Sequence, residues 1–123
     1  MIEEEEMRSL TLSAAALLAS FAFVSVASAC ETPAVIAVPD GKTSTKEQML
    51  AARDQVKAYM ASMETFMKCV DDEAAAKGDG APPEYKDQMA ARHNAAVSEM
   101  EAIAAAFNDQ LHAYNAAHPA PPK

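Results

Sequence analysis

The chain has 123 residues, ten Lys and Arg against eighteen Asp and Glu, three Gly, no Trp, and an apolar half in which Ala dominates. That length allows one small domain. No β-branched or aromatic runs recur at strand spacing, which speaks against a sandwich, a barrel or a nucleotide-binding α/β unit. A net charge of −8 speaks against nucleic acid, whose binding needs a basic face to displace counterions.

Leu10 to Val26 read LTLSAAALLASFAFVSV and close on Ala27-Ser28-Ala29, a small-x-small cleavage pattern. Residues 1–29 are thus expected to be a secretory signal peptide. Glu3 to Glu6 place negative charge where such signals are positive; a start at Met7, followed by Arg8, restores the usual front end. An uncleaved anchor fits less well, since 17 residues rise about 26 Å against a hydrocarbon core of about 30 Å. Removing residues 1–29 deletes four Glu and one Arg and leaves a net charge of −5. Contact with a membrane is then expected only through an uncleaved signal or a lipidated Cys30.

Residues 30–43, CETPAVIAVPDGKT, hold Pro33, Pro39 and a PDG turn, and are expected to form an extended arm. Ser44-Thr45-Lys46-Glu47 fits a capping box with Ser44 as the cap. From there to Lys77 no Gly or Pro intervenes, and Gly78 can end the helix in a left-handed conformation. Gly78 to Pro83 connect to a second uninterrupted run reaching about His118, with 119–123 as a flexible tail. The expected fold is therefore all-α: an antiparallel two-helix hairpin over 44–118, with helices at about 44–77 and 84–118, preceded by the arm and the signal-peptide helix.

In the first helix Met49, Ala52, Val56, Tyr59, Met63, Phe66 and Val70 step by three and four, a heptad seam of coiled-coil type. In the second, Met89, His93, Ala96, Met100, Ile103, Phe107, Gln110 and Tyr114 do the same, widened by Val97, Ala104 and Leu111. Two helices bury one stripe each, a core that is marginal without a staple or a partner chain.

An even cysteine count in an exported chain points to a disulfide, Cys30 to Cys69. Reach permits it: Ser44 to Cys69 rises roughly 38 Å as helix, and the 14 residues from Cys30 to Ser44 stretch to about 46 Å. The arm is then expected to lie along the first helix with Val35, Ile36 and Val38 in the groove. The competing expectation is a lipoprotein, in which Cys30 follows a small residue and carries the lipid.

Met60, Met63 and Met67 lie within two turns and offer soft thioethers for Cu(I); with Met63 in the seam and no repeated Met-x-x-Met array, packing by a flexible apolar side chain is the favoured reading. Asp109 and His112 share a face, but the paired Glu-x-x-His pattern of di-iron bundles is absent. So are a Gly-rich phosphate loop, HExxH, CxxC and GxSxG. No catalytic residue and no cofactor is expected. Asp71-Asp72-Glu73 reads as a solvated charge run.

The stretches PDGKTSTKEQML, VKAYMASMETFMKC and NAAVSEMEAIAAAFNDQLHAY resemble a loose set of small exported proteobacterial helical-hairpin proteins with no assigned activity. In that set a Cys and PDG arm precede a Met-bearing helix that ends near a second Cys. The resemblance spans most of 30–114 and implies architecture and compartment, with no functional residue carried over. The chain also looks like the small helical periplasmic chaperones of envelope stress, although it lacks their LTxxQ motifs. The expected function is a non-enzymatic envelope protein acting through helix–helix contact, as a homodimer or with an envelope partner. A methionine Cu(I) carrier and an envelope-stress chaperone are the alternatives.

Overall fold

A computed structural model describes residues 30–123, so the expected signal segment 1–29 and the Met7 start lie outside the described residues. Two helices, α1 (Lys46–Lys77) and α2 (Pro83–Ala117), pack along their lengths against each other, and the described residues hold no strand. The fold is an all-helical antiparallel hairpin. None of the described helices is long and apolar enough to cross a membrane.

The helix starts follow from local chemistry. Thr45, with φ −79° and ψ 165°, is the N-cap of α1: its hydroxyl accepts from the Gln48 amide and the Gln48 side chain accepts from the Thr45 amide. The capping box is thus one residue later than the sequence suggests. Ser44 is withdrawn from capping because its hydroxyl donates to the Asp40 carbonyl at 2.6 Å and is buried in the turn that ends the arm. Gly78 ends α1 at φ 73°, its amide donating to Ala75. Pro82 and Pro83 open α2, where a missing N–H costs nothing.

The two seams are buried unequally. On α1, Met49, Ala52, Tyr59, Met63, Phe66 and Val70 are buried, and Val56 is half-buried. On α2 only Met89, Ala96 and Ile103, one residue every seven, are buried. His93, Met100, Phe107, Gln110 and Tyr114 are half-buried. Leu111, expected to widen the seam, is 37% exposed, and Val97 is 36% exposed. The reason is the arm, which covers α1 on the side of Ala52, Tyr59 and Phe66, while nothing among the described residues covers the opposite flank of the hairpin.

The arm runs antiparallel to α1. Pro33 and Ala34 lie beside Ser62, Ile36 beside Tyr59, and Val38 and Pro39 beside Gln48 and Ala52. Ile36 and Val38 are half-buried, with Ile36 packed on the core, but Val35 is 64% exposed. In extended chain, neighbouring side chains point oppositely, so Val35 and Ile36 cannot both face the groove.

At its far end the arm meets α2. The Gly41 amide donates to Gln110 Oε1 at 2.9 Å. A Cβ on Gly41 would sit 1.9 Å from the Gln110 carbonyl oxygen and 2.9 Å from the Tyr114 nitrogen. Glycine is there for close approach to helix backbone.

Candidate functional site

The arm is fixed at its start by a disulfide between Cys30 and Cys69, whose Cα atoms are 5.6 Å apart. Cys69 lies on α1 one turn after Phe66 and one turn before Glu73, and Phe66 and Glu73 both meet Arg92 on α2. One Arg92 terminal nitrogen, Nη2, donates to the Cys30 carbonyl at 3.1 Å, and the other, Nη1, lies 3.5 Å from Glu73 Oε2. The guanidinium also stands 5.5 Å from the Phe66 ring centroid. A single cation therefore ties the arm, α1 and α2 together.

Beside this junction a cleft of about 250 Å³ opens between arm and α2. Thr32, Pro33 and Val35 form one wall, Arg92, Ala95 and Glu99 the other, and Tyr59, Met63 and Phe66 the floor. Tyr59 is 4% exposed and its hydroxyl has no hydrogen-bond partner. Burial, and secondarily the negative charge of Glu99, push its pKa above the ordinary tyrosine value.

Each residue of the acidic run finds its own partner. Asp71 Oδ1 lies 3.1 Å from His93 Nδ1, Asp72 Oδ2 lies 2.6 Å from Lys68 Nζ, and Glu73 meets Arg92. Asp71 and Asp72 are exposed, as a solvated run implies, and Glu73 is half-buried; Asp71 and Glu73 also reach across to α2. His93 and Gln110, the polar residues of the second seam, both make contacts between elements: His93 to α1, Gln110 to the arm.

The proposed copper ligands differ in burial. Met63 is 1% exposed within the core, whereas Met60 and Met67 are half-buried at its edge. Asp109 and His112 are exposed, and no three potential His, Cys, Asp or Glu ligands cluster among the described residues.

The groove hydroxyls are also engaged locally. Ser62 and Thr65 donate back to the carbonyls of Ala58 and Ala61. His118 is held at the end of α2, stacked on Tyr114 with centroids 4.3 Å apart. Both cysteine sulfurs are in the disulfide. What the site does chemically is anchor: covalently at Cys30, electrostatically at Arg92, and by close packing at Gly41.

The Arg92 to Glu73 pair and the Gly41 to Gln110 contact were not anticipated from sequence. The available signals were a lone Arg one residue before a seam position and a Gln within an apolar stripe. No family model, no curated protein and no solved structure matches this chain.

Proposed function

We propose that the protein is exported to an oxidising envelope compartment and acts there without catalysis, through helix–helix contact, chiefly with a second copy of itself. A disulfide is consistent with that compartment. The carrying observation is the asymmetry of the hairpin. The arm fills one groove, and the other flank presents half-buried Val56, Met60, Met67 and Met100 beside exposed Val97 and Leu111. Two such flanks apposed form a four-helix bundle, in which each apolar row acquires the cover it lacks in one chain. Helix–helix packing also accounts for Met60 and Met67 as adaptable apolar surface.

Sedimentation equilibrium of the exported, oxidised protein tests this reading. A dimer is expected, with Val97→Glu and Leu111→Glu giving helical monomers. A monomer that crosslinks to nothing in envelope extract contradicts it. Stoichiometric Cu(I) uptake under anaerobic conditions, abolished by Met60→Leu and Met67→Leu, favours the copper carrier instead.

A further inference from the structure

We infer that the N-terminus created by processing is itself a binding element: the α-ammonium of Cys30 pairs with the Glu73 carboxylate. The inference rests on the export reading, in which cleavage falls after Ala27-Ser28-Ala29. Hydrolysis of the Ala29–Cys30 amide leaves a carboxylate on Ala29 and a free amine on Cys30. That amine takes up a proton near neutral pH, so a neutral amide with one N–H becomes a cation with three donors.

The receiving group is already in place. Glu73 Oε2 is buried and has no hydrogen-bond partner among the described residues, with Arg92 Nη1 at 3.5 Å. A buried carboxylate oxygen without a donor is costly, and a charge-assisted bond removes that cost. Glu73 lies one turn beyond Cys69, to which Cys30 is bonded. The arm leaves Cys30 toward lower-numbered residues of α1, with Pro33 and Ala34 beside Ser62. One guanidinium spans the Cys30 carbonyl and Glu73 Oε2, which sets the Cys30 backbone and the carboxylate side by side. Arg92 holds the Cys30 carbonyl at 3.1 Å and so fixes the residue that bears the new charge.

The surrounding charges set the balance. Glu73 on α1 and Glu31 on the arm favour the ammonium. Arg92 on α2 and Lys77 one turn further along α1 oppose it, but Lys77 is turned onto the Tyr85 ring, 5.3 Å from its centroid. The Tyr85 hydroxyl donates to the Glu73 carbonyl, not to its carboxylate. An ammonium that gains a carboxylate has its folded pKa raised above the unfolded value. Its contribution to stability is fully present below that unfolded value, near pH 8, and is lost as pH rises through the folded one.

The test uses protein exported with its own leader and recovered oxidised. N-terminal sequencing is expected to begin at Cys30. An NMR titration of the Cys30 Cα–H is expected to place the ammonium about half a pH unit or more above its value in urea, and Glu73→Gln to remove the difference with the disulfide intact. A start at Cys30 with equal titration in native and urea-unfolded protein overturns the inference and leaves the export reading standing. So does a raised value that survives Glu73→Gln. A first residue other than Cys30 overturns the inference together with the cleavage site it rests on.

Discussion

At the scale of single residues the fold rests on a few positions where packing leaves no latitude. Gly41 is one: with a Cβ placed 1.9 Å from the Gln110 carbonyl oxygen, Gly41→Ala must push the arm off α2. A loss of roughly 1–3 kcal/mol is expected in urea unfolding, and an unchanged midpoint contradicts the contact. Tyr59 is the converse case, because its buried hydroxyl is unpartnered. Tyr59→Phe removes a group whose desolvation is uncompensated, so stability is expected to stay level or rise by up to about 1 kcal/mol. A clear loss would show a partner for the hydroxyl. The raised pKa of Tyr59 adds a pH signature: the folded state disfavours the phenolate, so stability is full below the unfolded value near pH 10 and falls as pH rises above it. Tyr59→Phe is expected to flatten that alkaline decline, as read from melting temperatures across the range.

At the scale of elements, α1 is sandwiched and α2 is not. Met63 is 1% exposed, so Met63→Ala is expected to cost about 2–5 kcal/mol in unfolding experiments, with Met67→Ala at the edge costing distinctly less. Equal costs would contradict the placement of the core. Much of this was legible from the chain, because seam periodicity and the absence of Gly or Pro are local properties: the seven expected seam positions of α1 include all six that are buried. The cap was misplaced by one residue because Ser44 and Thr45 are chemically interchangeable as caps. Only the turn at Asp40, which claims the Ser44 hydroxyl, decides between them. Leu111 was misassigned because periodicity gives the face of a helix but not what covers it. Arg92, Glu73 and Gln110 act across 62, 19 and 69 residues of sequence respectively, toward Cys30, Arg92 and Gly41, and no local pattern encodes such pairings.

At the scale of the whole molecule, the arm converts a two-helix hairpin with a thin core into a three-segment fold closed by a covalent bond. Closure of the 39-residue separation between Cys30 and Cys69 is expected to contribute roughly 3–4 kcal/mol in the chain-entropy model. Cys69→Ser should lower the unfolding midpoint accordingly and release Ile36 from the core. The same bond makes the disulfide and lipidation of Cys30 mutually exclusive, since both use one sulfur. Mass spectrometry of unreduced peptides from exported, processed protein therefore tests the account at its centre. The expected result is a peptide beginning at Cys30 joined to the peptide carrying Cys69, with no free thiol. An acyl-glyceryl mass on Cys30, or two free thiols in protein that melts like Cys69→Ser, would contradict it.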